Sequence, residues 1–450
     1  MTILYIRHLK SEYWYDVKAD YRYQFEEDPD VLHRTTAKIS KDYVLFPPIP
    51  VNWDTGFLQI RVHPTLSGEI NRPFIEVSHG DKSFRQYFEI GAEGIRYINL
   101  SSLSDHHPDK VLIKGRHISW ESQDGQLLLF RNPTISGKKI LVVSPHPDDA
   151  EIAAFGFYSN RDSYVVTITD GSAGAARYSK YFPGQDKAAS YQLKAKLRVI
   201  DSITVPMIGG ISPVRCYNLG YFDGSLEAMH NSPERENTSK YTKTSDVTRS
   251  RKINVAALSD SGAKATWNSL VTDLSILLKK INPDIIVTPH PILDSNRDHE
   301  YSSLAVLEAL ERVKPEKKGQ IFLYSNHYVH TNRYPFGRRG ATTSLPPLFS
   351  HPKRLKSVYS YSLTTQQQVE KVFALDAMHD LRELPLEGDM TLADMWNDIL
   401  HDILHYIRND SDFDLSYYRK GIHANELFMV HPFSDAANLI AEYDEYRKTG

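Results

Sequence analysis

Several common signatures are missing from this sequence. Cys216 is the only cysteine, which excludes an intrachain disulfide framework and a multi-cysteine zinc site, so any metal would have to be held by histidines and carboxylates. No stretch approaches the roughly 20 consecutive apolar residues of a membrane-spanning helix. The apolar start of MTILYIRHLK is broken by Arg7, His8 and Lys10 before a secretory-signal core can form. A cytoplasmic chain without a membrane span is therefore expected. Neither charge sign dominates: 53 Lys and Arg stand against 56 Asp and Glu, a formal net charge of −3, so no nucleic-acid partner is expected. Internal repeats are absent as well, and nothing fixes an oligomeric state. What is present is an ordinary globular composition, 41% hydrophobic and 24% charged, over 450 residues, a length that suits two domains.

From about residue 55 to 130, short alternating apolar runs (GFLQIRV, RPFIEVSHG, FRQYFEI, IRYINL, VLIKG, QLLLF) are separated by Gly, Asp, Ser and Asn turns. They predict an antiparallel, β-sandwich-like N-terminal domain over 1–135. Trp53, Tyr87 and Tyr97 in it are candidates for stacking on sugars, although a core position is the commoner use of such rings. RNPTISGKK (131–139) reads as a linker. Beyond it, strand and helix patterns alternate (KKILVVS, DAEIAAFGFYS, SYVVTITDG, WNSLVTDLSILLKKI, PDIIVTPH, EYSSLAVLEALERV, QIFLYSN). That order predicts an α/β catalytic domain over 136–450, a Rossmann-like, mainly parallel sheet with flanking helices. In such sheets ligands bind at the carboxyl ends of the strands. Residues 332–362, rich in Gly, Pro and Arg, read as a loop and a candidate lid, in which Arg333, Arg338 and Arg339 could clamp an anionic group. Helical spacing returns in TQQQVEKVFALDAMHDL and LADMWNDILHDILHYI.

ILVVSPHPDDAEI places His146, Asp148 and Asp149 between a β-branched run and a helix-forming segment. One of two adjacent carboxylates can bind a metal while the other takes a proton. Either could instead cap the helix. After PDIIVTP, a second polar cluster of His290, Asp294, Asn296, Asp298 and His299 offers a third ligand from an equivalent strand end. SDHHPDK (104–110) also contains a His-Pro-Asp string, but it lacks the second Asp and the strand-to-helix setting.

The PHPDDAE, TITDGSAG and DSNRDH motifs, in this order over roughly residues 138–330, resemble the PIG-L/LmbE-like deacetylases. The resemblance implies one Zn2+ per chain, or another divalent metal, held by His146, Asp149 and His299. It also implies that Asp148 is the general base for water attack on an acetamide carbonyl, and that Asp298 orients its neighbours. Many family members carry a histidine where this chain has Asn296, and asparagine donates a hydrogen bond but no proton. The acid is then either Asp148, returning the proton it took, or a group such as His290 or His327. Ser172 stands where glutamate is frequent in the family. Asp170 is a candidate for binding a sugar hydroxyl, NLGYFDG (218–224) resembles a pocket-lining segment, and Arg338 is a further candidate substrate contact. The implied function is N-deacetylation of an N-acetylated amino sugar, free or in a glycoconjugate. The alternatives are another small-amide hydrolase of the deformylase kind and a catalytically silent carbohydrate-binding protein.

Overall fold

The computed structural model describes residues 13–106, 108–174, 178, 186–258, 263–349, 355–382 and 416–449. The chain divides into two compact units. The first comprises Met1–Pro133, His330–Gln368 and Glu383–Leu427, and the second Thr134–Val329, Val369–Arg382 and Phe428–Gly450. The first boundary falls in the Pro- and Gly-containing stretch 131–139. The return of 330–368 and 383–427 to the β-rich unit differs from the assignment of 136–450 to a single domain. Residues 391–407, with their helical spacing, lie outside the described residues.

The first unit is built on antiparallel strands β1 (Leu32–Ile39), β2 (Tyr43–Leu45), β3 (Thr55–Pro64), β4 (Phe74–His79), β5 (Lys82–Tyr87), β6 (Gly94–Asn99), β7 (Lys110–Arg116), β8 (Ile118–Ser119) and β9 (Gln123–Phe130). Their order is β5-β4-β7-β2-β1-β9-β3-β6, with β8 paired to β3. Period-two alternation turns Ile60, Val62, Ile75, Val77, Val111 and Leu127 into one apolar core, together with Trp53. Trp53 and Tyr97 are buried, so the role the structure gives these two is packing.

The second unit contains β10 (Ile140–Ser144), β11 (Ser163–Thr169), β12 (Cys216–Tyr221), β13 (Ile285–Pro289) and β14 (Gln320–Tyr324). All five run parallel in the order β12-β11-β10-β13-β14. The segment 332–362 expected as a loop ends in a strand, β15 (Ser357–Ser362), in the first unit. Its SVYSYS pattern alternates, but serines replace the apolar residues that would have advertised it. The antiparallel β16 (Asn425–Pro432) then pairs with β14 through residues 429–432. The parallel strands are apolar on both faces because helices cover them. These helices include α1 (Asp149–Tyr158), α2 (Lys187–Thr204), α3 (Leu226–Asn231), α4 (Trp267–Ile281), α5 (Arg297–Val313) and α6 (Ala436–Thr449). Among the described residues no helix is long and apolar enough to cross a membrane.

From β10 the chain moves outward through β11 and β12, then returns to β13 on the other side of β10 and continues to β14. The loops leaving β10 and β13 therefore diverge, which opens a crevice at their carboxyl ends. Both polar clusters of the sequence emerge there.

Candidate metal centre

β10 ends in Ser144, and the next four residues turn the chain into α1. Asp148 takes φ 153°, a left-handed conformation that costs a non-glycine residue roughly 1–3 kcal/mol and is found chiefly where a site requires it. Although Asp148 sits at the N-cap position, its side chain makes no capping hydrogen bond. It faces Arg198 of α2 instead, with Nη2 2.7 Å from Oδ2. Asp149, the first residue of α1, directs Oδ2 to His146 Nδ1 at 3.2 Å and to His299 Nε2 at 3.1 Å. The backbone N–H of His146 donates to the same oxygen at 3.0 Å, and Asn326 Nδ2 donates to Oδ1 at 2.9 Å.

His299 arrives from the opposite wall, in the first turn of α5. Asn296 starts this helix: its side chain accepts the N–H of Asp298 at 2.9 Å. That cap satisfies one of the otherwise unpaired amides of the helix end and fixes the rotation that aims His299 inward. His299 Nδ1 lies 3.0 Å from the fully buried Asp294 carboxylate, an arrangement that orients the ring and leaves Nε2 as the free ligand nitrogen.

The residues fit a cation. His146, Asp149 and His299 present ligand atoms within 4.8 Å of one another. His299 Nε2 is buried without a hydrogen-bond partner, although a carboxylate oxygen lies 3.1 Å away. An imidazole nitrogen in that position is suited to a metal, and two histidines with one carboxylate form a donor set that leaves a coordination position open. His146, Asp223 and Asp298 also lie within 4.8 Å of one another. These two carboxylates are already engaged: Asp298 accepts from Gly224 N at 2.6 Å and Leu226 N at 3.3 Å, and Asp223 from Ala173 N at 2.9 Å. Their distances to His146 Nε2, 3.3 Å from Asp298 and 3.5 Å from Asp223, make them the support that holds His146 from its far side.

The two adjacent carboxylates are driven apart electrostatically. Burial raises Asp148 to about 7 against the opposing pull of Arg198. Burial acts on Asp149 too, but His299 and His146 outweigh it and hold this carboxyl well below its ordinary value. One carboxylate thus stays ionised for a cation, while its neighbour can exchange a proton near neutral pH, a division that marks acid–base pairs. With no cation present, the carboxylates also overcome the effect of burial on the imidazoles, raising His146 well above its ordinary value and His299 to about 10.

The remaining candidates separate. Asp170, at the end of β11, is buried and raised to about 7 by that burial, and it accepts the Ser172 N–H at 3.1 Å. His327 lies against His299, ring centroids 4.8 Å apart, and burial lowers it to about 4. His290 is buried, and its Nδ1 accepts the N–H groups of Ile292 and Leu293 at 3.2 Å each, which ties the ring to the turn after β13. Arg338 is exposed and belongs to the first unit. The sequence carries no signal for Arg198 or Asn326; it marks Asp294 only as one member of the cluster that offers a third ligand, and Asp223 only as part of a segment resembling a pocket lining. In NLGYFDG a strand followed by a tight turn explains Asp223 at least as well as a role in the site. Arg198 is one cation on an amphipathic helix and carries no distinguishing local signal.

Residues 141–310 match the profile of a protein family described as PIG-L: GlcNAc-PI de-N-acetylase. No curated protein matches the chain. Among solved structures, it is similar to an N,N'-diacetylchitobiose deacetylase from Pyrococcus horikoshii, at 17% identity and TM-score 0.35, covering 68% of this chain and 88% of that one. It is also similar to the teicoplanin deacetylase in a zinc-inhibited form, at 16% identity and TM-score 0.35, with 65% and 98% covered. A 4-carboxy-2-hydroxymuconate hydratase from Pseudomonas putida is found too, at 13% identity and TM-score 0.33, with 65% and 95% covered. The profile match follows the α/β unit from β10 into α5, the span that supplies His146, Asp148, Asp149 and His299, and over these residues the chain is similar to the PIG-L family.

Proposed function

We propose that the chain is a zinc-dependent amide hydrolase that removes the acetyl group from an N-acetylated amino sugar or its conjugate. The observation that carries this reading is the geometry of the adjacent pair Asp148 and Asp149: Asp149 Oδ2 lies 3.2 Å from His146 Nδ1 and 3.1 Å from His299 Nε2, whereas Asp148 faces Arg198. The sugar part rests on the family description, which names a GlcNAc-containing substrate.

His146, Asp149 and His299 would hold the metal. When bound, zinc supplies Lewis acidity, which polarises the amide carbonyl and makes water more acidic. Asp148 accepts the proton of the attacking water. Raised to about 7 by burial, it can keep that proton and hand it to the departing amine. Arg198, 2.7 Å away, fixes the carboxylate and stabilises its charged form. Arg198 Nη2 also donates to the Pro147 carbonyl at 2.7 Å, which anchors the strained turn itself. Asn296 supplies no proton, and its side-chain oxygen is used in capping α5. Asn296 also favours a second reading, a carbohydrate-binding protein without turnover.

Metal analysis and acetate release separate the two. Purified protein should hold one zinc per chain and release acetate from N-acetylglucosamine conjugates. His299→Ala should abolish metal binding, and His290→Ala should leave it intact; equal loss in both would show that the third ligand is misassigned. Zinc without turnover on acetyl, formyl and other small amides would favour the silent protein.

A further inference from the structure

Away from the metal cluster, the first unit contains a cavity of about 620 Å³, within the ~300–1,000 Å³ range of small-molecule sites. Its wall is formed by β15, the start of β5 and the 3-10 turn Ser101–His106. Strand alternation sorts the β15 side chains. Ser360 points inward, where its Oγ accepts from Asn99 Nδ2 at 2.8 Å and Asn425 Nδ2 at 3.0 Å. Tyr359 and Tyr361 therefore share the opposite face, half-buried, with ring centroids 6.3 Å apart and planes inclined by 39°. Phe84, also half-buried, lines the same cavity.

The polar lining is of a particular kind. It is dominated by hydroxyls and carboxylates, including the exposed Asp81 and Asp105. The single lysine of the lining, Lys82, donates to the Ser102 carbonyl at 2.9 Å. Ser102 Oγ is itself buried in this wall with no hydrogen-bond partner. A phosphate or a nucleic acid would meet the wrong charge here, and a purely apolar molecule would leave these groups unpaired. A sugar ring presents apolar C–H faces to aromatic rings and hydroxyls around its edge.

We propose that this cavity is a binding subsite for a neutral oligosaccharide, with Tyr359 and Tyr361 as the stacking platform and Asp81, Asp105 and Ser102 as hydroxyl partners. The proposal does not depend on deacetylation, because sugar binding here and turnover at the metal cluster are measured separately.

The test is calorimetric titration of the full, chelator-treated protein, which cannot turn over a metal-dependent substrate. The probes are four neutral oligosaccharides: N,N'-diacetylchitobiose, cellobiose, maltotriose and xylotriose. At least one should bind. Tyr361→Ala and Tyr359→Ala should each weaken it by about tenfold, the size expected for loss of one stacked ring. Tyr361→Phe, which keeps the ring, should retain binding and controls for folding. Absence of binding by all four sugars overturns the proposal. So does binding that disappears in His146→Ala and persists in Tyr361→Ala, since the sugar would then occupy the metal cluster only.

Discussion

Removing the Asp294 carboxylate should weaken the metal centre without touching the metal. Asp294 is fully buried and its carboxylate makes four interactions: Oδ2 lies 3.0 Å from His299 Nδ1 and accepts the N–H groups of Asn326 at 2.8 Å and His327 at 3.2 Å, while Oδ1 accepts the N–H of Asn296 at 3.1 Å. Loss of a carboxylate that orients a ligating histidine typically costs 10–100-fold in metal affinity, about 1.4–2.8 kcal/mol. Asp294→Ala also strips three backbone amides, those of Asn296, Asn326 and His327, of their acceptor, each worth about 1–3 kcal/mol if it stays buried and unpaired. Asp294→Asn keeps one acceptor oxygen, enough for the Asn326 and His327 amides at the Oδ2 position, but loses the negative charge beside the ring. Zinc affinity, measured by competition with a chromophoric chelator, should fall in both variants. Thermal stability should fall clearly only in Asp294→Ala. An Asp294→Asn protein that binds zinc as tightly as the parent would refute the claim that this carboxylate sets His299.

Three further outcomes follow from the same geometry. Arg198→Ala should leave Asp148 without its cation, so that it is protonated at neutral pH; acetate release should drop by roughly 10²-fold or more, the scale of a lost general base, with zinc content retained, whereas undiminished turnover would remove Arg198 from the mechanism. In the metal-free protein His299 is raised from its ordinary value to about 10; its contribution to stability is therefore full below about pH 6.5 and lost as pH rises through 10. Zinc must displace that proton, so binding should tighten with rising pH and release protons into the buffer, which calorimetry in buffers of different ionisation enthalpy detects; zinc binding with no proton release would contradict this. Asn296→Ala should lower stability by about 1 kcal/mol through loss of the α5 cap while zinc still binds, and loss of the metal in that variant would assign Asn296 a direct part in the centre.

The anchor of the site was legible in the sequence because its signal is local. A β-branched run, ILVVS, followed by His-Pro-Asp-Asp and a helix-forming segment places candidate ligands at a strand end wherever the strand sits in the sheet. The pairing of this strand end with the one that leads to His299 came from the strand and helix alternation. The partners that tune the residues were not legible. Arg198 and Asp223 reach the cluster from α2 and from the end of β12 only after the sheet has formed, and neither has a spacing that announces it. In sequence Asn296 marks the position of a missing acid, and in the structure its side chain caps a helix. In the β-rich unit the apolar alternation marks β3 to β7 and β9. β15 escaped notice because its buried positions include serines, satisfied by Asn99 and Asn425 rather than by apolar packing.

In the proposed site Asp148 would move protons while His146, Asp149 and His299 would hold the metal. Asp148→Asn in zinc-loaded protein tests this most directly, with metal content and acetate release from an N-acetylglucosamine conjugate measured on the same sample. Zinc should remain at one per chain while acetate release falls at least about 10²-fold. Retention of full turnover, or loss of the zinc together with the activity, would contradict the division of roles between Asp148 and Asp149.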